Sequence, residues 1–257
     1  MYLADHTWPE LRGVADERPV ALLPIGSTEQ HGPHLPESTD HRIAEAIARR
    51  AAKRSPSICL PVVPIGVSPH HKQFPGTVWV DAPAFRNFIE SYAKNLSYHG
   101  FERIVFVNAH GGNVPHLREV GRRLYDAEIA FAIEWMWDES ITELIHENFA
   151  NPGPHAGPKE TSMMLVIDPD SVNMDALDSA REDGIGQYRR KDYRRFGARV
   201  HYDAITNSQN GAFGDPTDAT PEIGRQLLDG AVENLVQLVD WLTNRSQIEL
   251  RPPDRIE

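Results

Sequence analysis

The chain has 257 residues, of which 40% are apolar and 25% charged, so it can bury a sizeable core and disorder is excluded. Lys and Arg number 26 against 37 Asp and Glu, and the net charge of −11 excludes a general platform for nucleic acid or anionic membrane. The lone Cys59 excludes a disulfide scaffold, and no apolar run reaches the ~20 residues that a membrane-spanning helix needs.

The first residues, MYLADHTWPELRG, have neither the basic nor the apolar region of a signal peptide, and a cytoplasmic location is expected. Residues 19–25 (PVALLPI) read as a buried strand entering a glycine-containing loop. Ile43, Ala44, Ile47, Ala48 and Ala51 then recur at helical spacing, with Thr39-Asp40 placed to cap that helix. Residues 58–65 (ICLPVVPI) predict a second strand, which the prolines push to an edge. Phe85, Phe88, Ile89, Tyr92 and Leu96 mark a helix ended by Gly100. A third strand over 103–107 runs into NAHGGN and a helix near 114–125, and a fourth is expected over 129–134. Residues 160–167 are expected to be helical, 181–199 an Arg-rich surface excursion, 222–242 a long helix and 247–257 an extended tail. This alternation predicts one α/β domain over residues 1–257, with a mainly parallel sheet flanked by helices on both faces, a three-layer α/β/α arrangement.

The 12 histidines gather in a few loops. In Glu29-Gln30-His31, positions i and i+2 of an extended segment point the same way, so a carboxylate and an imidazole face one cation while Gln30 faces elsewhere. Asp40 follows at a predicted helix start, His110 stands at a second strand end, and Glu160 adds a carboxylate further along. Two Glu, two His and one Asp form a mixed N/O set suited to Zn²⁺, Mn²⁺ or Fe²⁺. Taken singly, Asp40 reads as a helix cap and Gly111-Gly112 as a tight turn. Serine-hydrolase, zincin, P-loop and dinucleotide-binding motifs are missing, and Cys59 lies in an apolar run as an inert thiol would.

Five elements occur in order: GSTEQHGPHLPESTD at 26–40, FPGT at 74–77, NAHGGN at 108–113, HAGPKETS at 155–162 and GDPTDATPEIG at 214–224. In these the chain resembles the creatininase (creatinine amidohydrolase) family, over roughly residues 19–242. The resemblance implies a mainly parallel α/β fold, usually in a homo-oligomer, with two divalent metal ions per subunit. It implies hydrolysis of non-peptide C–N bonds in a small-molecule substrate or, in one branch, cleavage of a modified peptide. By the same resemblance Glu29, His31, Asp40 and His110 match metal ligands, with Asp40 bridging. Creatinine-hydrolysing members carry a Tyr-Glu pair after the ligand His, and that Glu is a ligand. Here Gly111-Gly112 stands in its place, Glu160 is the candidate substitute, and creatinine becomes a doubtful substrate. The NxHGGN form looks more like members that deformylate a formamidopyrimidine nucleotide, the favoured substrate, or that trim the mycofactocin precursor peptide. His155 is the candidate proton shuttle, with a loop-orienting hydrogen bond as its alternative, and Glu160 is either ligand or shuttle. Trp135 and Trp137 read equally as pocket wall or core, and His34, His70 and His71 as candidates either to touch substrate or to stand behind the ligating residues. The rival reading is a non-catalytic metal-binding protein on the same fold.

Overall fold

The structure, a computed structural model, describes residues 1–184 and 201–250. Alternation within the strands sets its layers, because successive side chains of a strand leave opposite faces. Val20 and Leu22 of β1 (Val20–Ile25) pack on one side, and Ala21, Leu23 and Ile25 on the other. The first side is covered by α1 (Thr39–Arg54) and, further along the chain, by a long C-terminal helix. After α1 comes the short strand β2 (Ser57–Cys59), and then α2 (Ala82–Tyr98) on the second face. β3 (Arg103–Asn108), α3 (Val114–Asp126) and β4 (Phe131–Met136) follow, with α3 beside α2. The sheet order is β2-β1-β3-β4, every pairing parallel. α4 (Pro158–Ile167) packs against α1 and against α5 (Pro221–Thr243) on the first face. The expected α/β/α layering is therefore present.

Four local expectations change. The strand expected over 58–65 keeps its ladder only as Ser57–Cys59, because Pro61 and Pro64 have no N–H to donate. Beyond it, Leu60 N–H still reaches Leu22 O, and Val63 N–H reaches Pro24 O. β4 begins two residues later than expected, since Ile129 N–H closes the end of α3 onto Leu124 O and Glu128 turns the chain at a φ of 56°. Thr39-Asp40 does not cap α1: Ser38 holds the cap position, and Thr39 Oγ1 donates to Pro36 O at 2.7 Å. The expected extended tail starts with a helical turn, Gln247–Leu250, because Ser246 and Glu249 bond each other reciprocally at its start. Residues 251–257 of that tail, and 185–199 of the expected Arg-rich excursion, lie outside the described residues. Arg181 belongs to a helix, Leu177–Gly184, and pairs with Asp215 at 3.4 Å.

Candidate metal centre and active site

The carboxyl ends of parallel strands are where an open α/β sheet leaves room for a site. Past β1 the chain runs extended through residues 28–31, held by Val78 N–H on Thr28 O and by Thr77 Oγ1, which accepts from Gln30 N–H at 3.0 Å. The FPGT element thus straightens the segment that carries Glu29 and His31. Past β3, Asn113 Nδ2 donates to Gly26 O at 3.0 Å, and Asn113 Oδ1 accepts from Val67 N–H at 3.0 Å. Asn108 Oδ1 accepts from His110 N–H at 3.1 Å. The two asparagines of NAHGGN are therefore braces that aim His110 between β1 and the loop at Val67.

Glu29, His31, Asp40, His110, His155 and Glu160 are all buried and gather at this edge. His31 Nδ1 donates to Glu29 O at 2.9 Å, which turns Nε2 toward Asp40 Oδ1 at 3.0 Å. His110 Nε2 donates to Val67 O at 3.2 Å, which turns Nδ1 toward Glu29 Oε2 at 3.2 Å and Asp40 Oδ2 at 3.1 Å. Each ring therefore satisfies its far nitrogen on the main chain and presents the near one to carboxylates, the arrangement that orients a ligating imidazole. Glu29, His31 and Asp40 offer ligand atoms within 4.8 Å of one another, and so do His31, His155 and Glu160.

Charge follows from this packing. Burial opposes protonation of His31, but the Asp40 carboxylate outweighs it and pushes the ring up to about 10. Burial is likewise outweighed at His110, by Glu29 and Asp40, and its pKa rises well above the usual histidine value. The two imidazoles in turn hold Asp40 well below the ordinary carboxylate range. Burial raises Glu160 and holds His155 well below its ordinary value, so His155 is neutral. His155 Nε2 donates to Gln30 O at 2.7 Å, leaving Nδ1 facing Glu29 Oε1 at 3.7 Å.

Two cavities flank the cluster and share Glu29, His110, Gly111, Pro154 and His155 as their floor. The first, about 820 Å³, is walled by His70, His71, Lys72, Tyr202, Asp203 and Phe213. The second, about 680 Å³, is walled by Arg118, Met136, Asp138, Glu139, Lys159 and Glu160. Gly111 borders both with open space beside it. Gly112 cannot carry a side chain, because a Cβ would lie 2.3 Å from Val67 O and 2.4 Å from His110 Nε2.

The remaining aromatic residues sort cleanly. Trp135 and Trp137 are core residues, with Trp135 Nε1 donating to Asn234 Oδ1 at 3.0 Å. His34 is buried on Thr161 Oγ1 at 2.9 Å, away from both cavities. His70 faces the first cavity, its ring 5.9 Å from that of His110. His71 stands 3.5 Å from Glu29, beside the cluster. Gln30 does point away from Glu29 and His31, yet it is buried among histidines, which period-two spacing alone does not reveal.

The family model for creatininase (creatinine amidohydrolase) matches residues 4–239. The mycofactocin precursor peptide peptidase of Mycobacterium ulcerans (strain Agy99) is 33% identical, over 91% of this chain and 85% of that protein. The 2-amino-5-formylamino-6-ribosylaminopyrimidin-4(3H)-one 5'-monophosphate deformylase of Methanothermus fervidus is 28% identical, over 90% of this chain and 88% of that protein. Among solved structures, creatininase in a Mn form superposes with a TM-score of 0.78 at 22% identity, covering 95% of this chain and 99% of that one. A mutant creatininase of Zn–Zn type gives 0.77 at 22%, covering 95% and 98%, and at this identity both likenesses speak for the fold. The chain belongs to the creatininase family and is a hydrolase of C–N bonds.

Proposed function

We propose that the protein is an amidohydrolase whose two divalent ions, Zn²⁺, Mn²⁺ or Fe²⁺, are held by Glu29, His31, Asp40, His110 and Glu160, with Asp40 shared between them. The observation that carries this reading is three buried carboxylate oxygens, Glu29 Oε2, Asp40 Oδ2 and Glu160 Oε2, that make no hydrogen bond of good geometry, the first two facing His110 Nδ1 as an ion pair at 3.2 and 3.1 Å. Buried anionic oxygens cost free energy unless a cation meets them, and imidazole with carboxylate is the donor set that these metals take. Divalent ions bound here supply Lewis acidity, polarising the amide carbonyl and acidifying water.

The chain's own groups supply the rest. His155 is neutral, and its Nε2 is committed to Gln30 O, so Nδ1 is the atom that takes a proton and hands it to the leaving nitrogen. Glu160, raised by burial, serves as a ligand and is the second candidate for holding a proton. The alternative for His155, a loop-orienting hydrogen bond, is compatible with this role, because Nε2 makes that bond to Gln30 O at 2.7 Å while Nδ1 is left for the proton.

For the substrate we favour the formamide of an N-formylated aminopyrimidine nucleotide. Cavities of about 820 and 680 Å³ beside the cluster suit a molecule far larger than the single small ring of creatinine. Likeness to the Methanothermus deformylase over 90% of the chain supports the same choice. The 33% identity to a mycofactocin precursor peptidase favours a second reading, a C-terminally modified peptide. The rest of the reading is a single domain over residues 1–257, a homo-oligomer in the cytoplasm and a small-molecule substrate. The charge of −11 supports the exclusion of nucleic acid and membrane. Among the described residues no helix is long and apolar enough to cross a membrane.

A substrate panel on metal-loaded protein tests the choice, with creatinine, the N-formylated nucleotide and C-terminally modified peptides. Release of formate from the nucleotide is expected to be fastest. Preferred turnover of creatinine, or of the peptide, would overturn the substrate while leaving the amidohydrolase assignment in place.

A further inference from the structure

Gln30 lies between two histidines, and its side-chain amide is fixed by main-chain groups whose polarity is unambiguous. Oε1 accepts from Gly32 N–H at 2.9 Å, and Nε2 donates to Gly211 O at 3.1 Å. Reversing the amide would set donor against N–H and acceptor against C=O. The fit depends on Gly211, whose φ is +87° and where a Cβ would lie 1.8 Å from Gln30 Oε1.

One amide proton of Gln30 remains, and it meets His71 Nδ1 at 2.7 Å. A ring nitrogen that accepts carries no proton, so the proton of neutral His71 sits on Nε2, the atom 3.5 Å from Glu29 Oε1. His155 is set from the other side: its Nε2 donates to Gln30 O at 2.7 Å, and its bare Nδ1 is the atom that faces Glu29. Gln30 Nε2 also lies 3.0 Å from His155 Nε2, but the protons of both are committed elsewhere. The two imidazoles thus share one tautomer and turn opposite nitrogens to the same carboxylate.

We propose that Gln30 is a positioning residue whose side-chain amide withdraws His71 from the metal ligands, making it a proton donor to Glu29, while its main-chain O keeps His155 Nδ1 bare. Glu29, His71 and His155 offer ligand atoms within 4.8 Å of one another, a spacing that could otherwise hold an ion. With Nε2 protonated, His71 steadies Glu29 as outer partners steady a ligand. The inference rests on the amidohydrolase reading only for its effect on turnover.

Histidine ¹⁵N resonances of the whole protein, metal-free and Zn²⁺-loaded, test it directly. His71 is expected to show a pyridine-like Nδ1 and a pyrrole-like Nε2 in both states. In Gln30→Glu the donor is replaced by an acceptor, and the His71 pattern should invert. Gln30→Met removes the donor alone and should give a mixture of tautomers, so it supplies the comparison if Gln30→Glu does not fold. Both variants should lower kcat by roughly 10–100-fold while KM changes little. A wild-type His71 protonated on Nδ1, a shift showing Zn²⁺ on its Nε2, or variants that keep the wild-type pattern would each overturn the inference. Wild-type tautomers as assigned, in a protein that turns over no amide, would support it and remove the amidohydrolase reading instead.

Discussion

Asp40 stands in the first turn of α1, where a carboxylate ordinarily serves the helix, but it makes no cap bond. Its two oxygens are divided between His31 Nε2 and His110 Nδ1, so one side chain ties the ends of β1 and β3 together. Asp40→Asn should therefore lose both ions, whereas His31→Ala should chiefly empty one position. Metal analysis of the purified variants decides this, and two ions retained in Asp40→Asn would refute the shared ligand. The glycines after His110 differ just as sharply. Gly111→Ala meets open space and should keep metal content and melting temperature, while Gly112→Ala drives a methyl into Val67 O and should loosen His110 and its ion. Equal metal affinity in the two variants would contradict the geometry. Glu29, His31, Asp40 and His110 were legible in sequence because alternation along an extended segment and the ends of strands are local patterns. The role of Gln30 was not, since it reaches His71 across 41 positions and Gly211 across 181.

Elements were legible where hydrophobic period and breakers agree, as in α1, α2 and α5. They shifted where a main-chain bond outweighs the apolar pattern, as when Ile129 is spent on closing α3 and is lost to β4. α5 carries a cap with two attachments. Thr220 Oγ1 accepts from Ile223 N–H at 3.2 Å, and Thr220 N–H donates to Ser162 Oγ on α4 at 3.1 Å. Thr220→Ala removes the first bond and keeps the second, so it should cost about 1 kcal/mol. The urea midpoint should fall with the slope unchanged; an unaltered midpoint would show that the cap contributes nothing here.

For the molecule as a whole, His34 gives stability a pH dependence. Burial, assisted by the charge on His31, pushes His34 down to about 4, from an ordinary value near ~6.5. Below that ordinary value the unfolded chain takes up a proton that the folded chain refuses. The contribution is complete above pH ~6.5 and is lost as pH falls toward 4, on the order of 3 kcal/mol at most. His34→Gln retains a donor for Thr161 Oγ1 and cannot titrate. Urea midpoints at pH 7 and pH 5 should differ less for this variant than for the wild type, and an identical pH response would sink the assignment.

The seat of Glu160 has one more consequence. Glu160 rides on α4, and α4 is held in place by α5, which is synthesised after all four strands and after α4 itself. A newborn polypeptide still threaded through the ribosome has by then delivered Glu29, His31, Asp40 and His110. Until residues 221–243 emerge, however, Met163 and Met164 lack the helix that covers them, and α4 is held by α1, by His34 on Thr161 and by the pairing of Lys159 with Asp138. On the proposed ligand set, emergence of α5 completes the seat of Glu160, and a product stalled or clipped before residue 221 should bind less metal than the whole chain.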